Sequence, residues 1–333
     1  MVTTLAREEL RRASLDRPTA LTIGVFDGVH LGHQALLRRV QESARRDGLA
    51  AAAVTFHPHP RHVVHPDSSV PYLTSLEDRL DLLLASGMDT VAAVTFTSEL
   101  AQVEAEDFVD TLIDEFQLQK LVIGPDFALG RQRAGNPEEL QKMCDDQGID
   151  LEMIDFIEDE AVENDAIEER ASNPRHKVSS SEIRRALMAG EIEHVNALLG
   201  RRFSVHGPVV LGAERGRTIG FPTANVAVGA DLAMPGYGVY ATLARVGEQN
   251  SKSQLSDRTY QSVTNIGVRP TIDDGEAVSI ECHLFDFEGD IYGRDIRVDL
   301  VTRIRGERKF DGLDALKAQI AADCIAARAA LQS

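Results

Sequence analysis

Two histidines three residues apart, His30 and His33, stand in the string GVFDGVHLGHQ at residues 24–34. Gly24 and Gly28 permit a tight turn with close backbone approach. At a helix start, side chains three apart share one face, so both imidazoles can address one ligand. A helix N-terminus placed after a strand favours phosphate. Two imidazoles there can stabilise the charge that develops on an α-phosphate under nucleophilic attack. The bland alternative is a pair of surface histidines in a glycine-rich turn, and the bare spacing does not choose between them.

A second chemically loaded string, HGPVVLGAERGRTIGFPTANV, runs from His206 to Val226. Its glycines, Gly207, Gly212, Gly216 and Gly220, free the backbone beside the positive charges of Arg215 and Arg217. Thr223 and Asn225 are alternate residues and point the same way on an extended segment. A hydroxyl and an amide oxygen so placed suit Mg²⁺ carrying ATP phosphates. The chain lacks a GxxxxGK[ST] loop, which disfavours an ordinary P-loop kinase.

Further candidates are weaker on their own. VSSSEIRRAL, residues 178–187, is a helix start with three hydroxyls and Arg184 one turn in. That arrangement suits polyphosphate anchoring at Ser180, Ser181 and Arg184, or is a helix cap and no more. Asp126 follows a strand and is either an acceptor for ribose hydroxyls or a turn aspartate.

The elements that must carry these residues fall into two textures. From about residue 18 to 157, apolar runs alternate with helical patterns. TALTIGVF ends at Phe26, and an amphipathic stretch from Leu31 to Asp47 is closed by Gly48. AAAVTF, a Ser75-capped helix closed by Gly87, DTVAAVTF, a helix over Glu104–Phe116, LVIG at 121–124 and an Asn136-capped helix follow. The alternation predicts a doubly wound parallel sheet. Half the residues from Asp150 to Glu169 are acidic, and 158–177 reads as an exposed loop. Two short helices, SSSEIRRALMAG and EIEHVNALLG, lead to a boundary placed at residue 200. Beyond it, short alternating runs punctuated by turns predict a small antiparallel barrel, with a helix from Leu313 to Leu331 packed outside.

The bulk numbers narrow the classes. A length of 333 residues fits two domains. A net charge of −18 argues against a nucleic-acid partner, and requires helix termini, Mg²⁺ and local arginines to draw in anions. No run approaches the roughly 18 apolar residues of a membrane span, and the first residues lack the apolar core of a secretory signal. Cys144, Cys282 and Cys324 have no ligand spacing and read as thiols of a reducing cytosol. Self-association is left open.

The string GVFDGVHLGHQ after a first strand resembles the HIGH-type nucleotidyltransferases, and specifically their flavin adenylyltransferase branch. That branch is represented by the bacterial bifunctional riboflavin kinase/FMN adenylyltransferases (FAD synthetases). TFHPHP at 55–60, GPDFALGRQRAG at 124–135 and VSSSEIRRAL extend the likeness, although Ala128-Leu129 stands where the family has a segment resembling DFRFG. GFPTAN resembles the riboflavin kinase signature, followed in order by MPGYGVYA, NIGVRPT, SIECHLFDFEGDIYG and RIRGERKF.

The resemblance implies that residues 1–200 transfer AMP from ATP to FMN, forming FAD and pyrophosphate, and that residues 201–333 phosphorylate riboflavin. It implies catalytic roles for His30 and His33, with ATP contacts at Gly24, Phe26, Asp27, Gly28, Asp126, Ser180, Ser181 and Arg184. In the barrel it implies ATP contacts at Gly212, Arg217, Gly220, Pro222, Thr223 and Asn225, Mg²⁺ at Thr223 and Asn225, and Glu281 as base toward the riboflavin 5′-hydroxyl. Glu281 stands between Ile280 and Cys282, so it faces the other side of its strand. A kinase with an altered adenylyltransferase and a flavin-binding protein without turnover are the rival readings.

Overall fold

Strand β1 (Thr19–Gly24) alternates between two apolar layers: Leu21 and Ile23 enter one core, Ala20 the other. Only a strand covered by helices on both faces does this. The computed structural model describes residues 1–67, 70–154, 178–212, 220–247, 255–270 and 276–332, so the acidic stretch 158–177 lies outside the described residues. Contacts divide the chain into two compact units, Met1–Ser180 and Ser181–Ser333.

In the first unit, β2 (Ala50–His57), β3 (Thr90–Thr95), β4 (Leu118–Ile123) and β5 (Asp150–Met153) join β1 in a parallel sheet ordered β3-β2-β1-β4-β5. The strand order reverses beside β1, between it and β4. In open α/β sheets that switch point, at the carboxyl ends of the strands, is where ligands bind. The motif after β1 and the turn after β4 therefore share one edge.

Helix α1 (Thr4–Ala13) precedes the sheet, and α2 (Leu31–Asp47) ends at Gly48, whose φ is +71°. The short α3 (Pro60–Val64) and α4 (Leu76–Ala85) follow β2. Helix α5 (Ala105–Phe116) precedes β4, and α6 (Pro137–Gln147) precedes β5. The expected caps are in place: Ser75 Oγ accepts from Asp78 N at 3.0 Å, and Asn136 Oδ1 accepts from Glu138 N and Glu139 N at 3.0 and 3.1 Å. Neither α1 nor α3 was foreseen. In α1 only Ala6 and Leu10 are buried, too few apolar positions for a helical period to show.

Helix α7 (Ser180–Ala189) starts at the last residue of the first unit and otherwise belongs, with α8 (Ile192–Leu199), to the second. Six strands then close an antiparallel barrel: β6 (Ser204–Val210), β7 (Ala224–Val226), β8 (Gly238–Gly247), β9 (Leu255–Pro270), β10 (Glu276–Leu284) and β11 (Asp295–Gly306). The helical pair binds the barrel by its backbone. Gly236 N donates to Leu187 O at 2.9 Å, and Asn196 bridges Leu300 O and Phe203 N at 3.0 and 2.7 Å. The compact units divide between Ser180 and Ser181. The terminal helix α9 (Leu313–Ala330) packs Ala327 among Val239, Ala241, Val263 and Phe285. Its buried Asp323 accepts from Arg305 Nε and Nη2 at 3.0 and 2.8 Å.

Candidate active sites

The chain leaves β1 at Gly24 and turns through residues in the left-handed region: Phe26 at φ +51°, Gly28 at +82° and Val29 at +38°. Gly24 is required by close approach, because a Cβ there would lie 2.9 Å from Cζ of the Phe26 ring. Phe26 is 1% exposed, and its ring meets the edge of His33 at 5.3 Å between centroids. His30 caps α2: its Nδ1 accepts from His33 N at 3.4 Å. An accepting Nδ1 puts the proton of neutral imidazole on Nε2. The two imidazoles stack, with centroids 3.7 Å apart and planes 17° from parallel. The Nδ1 edge of the His33 ring is sealed from solvent and has no hydrogen-bond partner among the described residues. Burial, then the neighbouring His30 and the charge of Arg79, hold His33 well below the usual histidine pKa, so it is neutral.

Asp27 takes a part that the sequence does not disclose. Its carboxylate is 2% exposed and accepts from Leu73 N at 2.9 and 3.1 Å and from Thr74 N at 3.3 Å. Thr74 Oγ1 in turn accepts from Gly28 N at 3.2 Å. The carboxylate thereby moors the motif to the segment before α4. Ser180, the last residue of the first unit, donates from Oγ to the Asp27 carbonyl at 3.0 Å.

Asp126 lies just beyond β4, at the switch point, in a turn closed by Phe127 N to Gly124 O at 3.1 Å. Its side chain is exposed, and its carbonyl accepts from Arg133 Nη2 at 3.0 Å. Ser181 is exposed and Arg184 half-buried on α7, and both belong to the second unit. Leu73, Thr74 and Arg79 were missed by sequence reading. Arg79 carried no signal, since an arginine in SLEDRLDLLL reads as the solvent side of an amphipathic helix.

In the barrel, Glu281 on β10 lies directly opposite Asn225 on β7 and, on its other side, opposite Asn265 on β9. Ile280 and Cys282 are 1% and 0% exposed, so they enter the barrel interior, while Glu281 keeps partial exposure. Ser279, on the same side of β10, donates from Oγ to Glu281 Oε1 at 3.2 Å. Asn225 is 7% exposed, and its amide occupies the space a Cβ on Gly212 would need. Thr223 stands immediately before β7, half-buried.

His283 Nδ1 donates to Pro222 O at 2.7 Å, and the His283 ring meets Phe221 edge-on at 5.8 Å. This ties β10 to the segment that carries Thr223. Gly220 has φ +91°, open to glycine and strained for other residues. Arg217, with Arg215 and Gly216, lies outside the described residues. The structure thus brings Pro222, Thr223, Asn225, Gly212 and Glu281 together. The alternation of Ser279, Glu281 and His283 could have flagged their common side; the pairing with Asn225 and Asn265 could not.

The donor sets differ between the two units. Asn225, Thr223 and Glu281 offer hard oxygens, the ligands that Mg²⁺ prefers. No group of three or more His, Cys, Asp or Glu among the described residues could hold a metal by itself.

Family models match both units. The FAD synthetase model matches residues 12–166 and the riboflavin kinase model residues 199–331. A bifunctional riboflavin kinase/FMN adenylyltransferase from Bacillus subtilis is 37% identical over 92% of this chain and 90% of its own. The Escherichia coli K12 relative of that description is 37% identical over 92% and 91%, and the one from Listeria monocytogenes 34% over 91% and 89%.

Among solved structures, that of a macrolide-efflux protein from Streptococcus pneumoniae covers 96% of both chains at a TM-score of 0.80 and 29% identity. No helix among the described residues of the present chain is long and apolar enough to cross a membrane. With two matched family models and relatives aligned along nine-tenths of its length, the chain belongs to the bifunctional riboflavin kinase/FMN adenylyltransferase family.

Proposed function

We infer that the barrel unit converts riboflavin and ATP to FMN and ADP, and that the sheet unit converts FMN and a second ATP to FAD and pyrophosphate. The observation that carries the kinase half is the cross-strand placement of Glu281 beside Asn225. The Glu281 carboxylate takes the proton of the riboflavin 5′-hydroxyl as that oxygen attacks the γ-phosphorus. A bond forms from the 5′-oxygen to phosphorus, the bond to the β,γ-bridging oxygen breaks, and ADP leaves. Ser279 turns one carboxylate oxygen by its hydrogen bond, and His283 holds the Pro222–Thr223 backbone. Thr223 and Asn225 would hold Mg²⁺, which when bound with ATP neutralises charge on the terminal phosphates. Arg217, Gly212 and Gly220 are assigned to the ATP side of this site.

In the sheet unit, a phosphate oxygen of FMN attacks the α-phosphorus of ATP. The α,β-bridging bond breaks and pyrophosphate departs, with no covalent enzyme intermediate. His30 donates from Nε2 to an α-phosphate oxygen, and His33, held neutral, supports the stacked ring from behind. Backbone of the Gly24–Gly28 turn and the N-terminus of α2 receive the phosphates, while the Asp27 carboxylate fixes the turn. Asp126 is assigned to the ribose and Ser180, Ser181 and Arg184 to the polyphosphate. Both reactions are expected with the magnesium complex of ATP.

Separate substitutions test the division of labour. His30→Ala is expected to leave FMN synthesis from riboflavin at its original rate while FAD formation falls on the order of 100-fold. Asn225→Ala is expected to do the reverse when FMN is supplied. Loss of both activities from either change in a folded protein would contradict independent sites.

A further inference from the structure

Arg79 is a charged side chain with no exposed surface, and beyond its charge acting on His33 no role is assigned to it above. It rises from α4 into the space beneath the motif. There its Nη1 donates to Val25 O at 2.9 Å and to Phe56 O at 3.1 Å, and lies 3.5 Å from Thr55 Oγ1. Thr55 Oγ1 donates to the same Val25 carbonyl at 2.9 Å. The Arg79 guanidinium also stands 5.5 Å from the centre of the Tyr72 ring. Its Nε and Nη2 have no hydrogen-bond partner among the described residues.

Burying a guanidinium is costly, and leaving two of its nitrogens without acceptors adds to that cost. For stability alone, an apolar side chain of similar volume often serves as well or better. What the guanidinium does here is local: it joins the carbonyl that follows β1 to one at the end of β2. The Val25 carbonyl is the last backbone group before Phe26, where the chain enters the left-handed region, and the Phe26 ring supports His33. The link from Arg79 to the stacked histidines is thus two residues long on the chain and one ring contact in space. Its charge also lies near enough to His33 to favour the neutral imidazole.

We propose that Arg79 is a positioning residue for adenylyl transfer, clamping the carboxyl ends of β1 and β2 so that the Val25–Asp27 turn presents His30 and His33 in the stacked arrangement. It does not reach the substrates, being fully covered. Its effect therefore falls on the rate of the chemical step rather than on ATP or FMN binding. A displacement of about 1 Å in such a group can cost on the order of 100-fold in rate.

The inference rests on the adenylyltransferase reading of this unit. Conversion of FMN to FAD by the unaltered full chain tests that reading, and the ratio of variant to unaltered kcat tests Arg79. In the full chain, Arg79→Met is expected to lower kcat for FAD formation about 100-fold, with KM for ATP and FMN within about threefold. Riboflavin phosphorylation, measured in the same samples, should be unchanged.

Arg79→Lys keeps the charge and the donors but lacks the planar guanidinium that fixes their direction. It should recover part of the rate, leaving it about tenfold below that of the original protein. Unchanged kcat in folded Arg79→Met would overturn the proposal, as would a rise in KM with kcat preserved, which would make Arg79 a binding group. If Arg79→Met does not fold, Arg79→Lys decides: kcat equal to that of the original protein removes the clamp, and a tenfold loss with KM held supports it.

Discussion

Glu281 and Asn225 are direct cross-strand neighbours, joined by the antiparallel pairing of β10 with β7, although more than fifty residues of chain separate them. Directly opposed residues in such a pair hold their Cβ atoms about 5 Å apart. A carboxylate and an amide oxygen are thereby presented to one small volume by backbone pairing rather than by flexible loops. The arrangement explains how a three-residue strand, β7, can matter: it exists to be held between β6 and β10.

From that pairing follows the effect of Glu281→Gln. The amide keeps the size and the hydrogen bond from Ser279 but cannot take the hydroxyl proton. Riboflavin phosphorylation is expected to fall by about 10²–10⁴-fold, with the affinity for ATP little changed. FAD formation from supplied FMN should continue unaltered. Steady-state assays of the two half-reactions check this.

Gly212→Ala tests the packing of the same site while leaving the Glu281 and Asn225 side chains chemically intact. The added Cβ falls on the Asn225 amide, which must turn away or push the neighbouring backbone. Overpacking of this kind costs about 1–3 kcal/mol in stability. The expected kinetic effect is a raised Mg²⁺ requirement and a slower kinase step, read by titrating Mg²⁺ at fixed ATP.

The state of His33 gives a prediction in pH. Burial, His30 and Arg79 lower its pKa in the folded protein, so the unfolded chain binds the proton more readily. Above about 6.5, the ordinary histidine value, both states are neutral there and His33 contributes no pH dependence. Below it the unfolded state gains a proton first, and stability falls as pH drops toward the folded-state pKa. Histidine NMR titration should show the His33 ring titrating well below 6.5. Melting profiles from pH 7.5 to 5 should be flatter for His33→Asn than for the original protein. A His33 ring that titrates near 6.5 would contradict the buried, neutral assignment.

Much of this was legible in the sequence because local chemistry marks its own boundaries. Gly48 closes α2, Ser75 and Asn136 cap their helices, and period-two runs mark the longer barrel strands. What was not legible depends on partners far along the chain. The hold of the Asp27 carboxylate on the backbone of Leu73 and Thr74 has no mark in the sequence around it. Arg79 reads as a surface residue because a helix pattern cannot say what lies beneath it. Strand β7 is too short for alternation to show, and Asn265 acquires meaning only from the register of β9 on β10.

One chain carries riboflavin through FMN to FAD. The most direct test is to incubate the purified protein with riboflavin, ATP and Mg²⁺ and to separate flavins by chromatography over time. FMN should rise first and then decline as FAD accumulates, with one ADP formed for each FMN and one pyrophosphate for each FAD. FMN that accumulates without FAD would contradict the adenylyltransferase assignment of the sheet unit, and unchanged riboflavin would contradict the account as a whole.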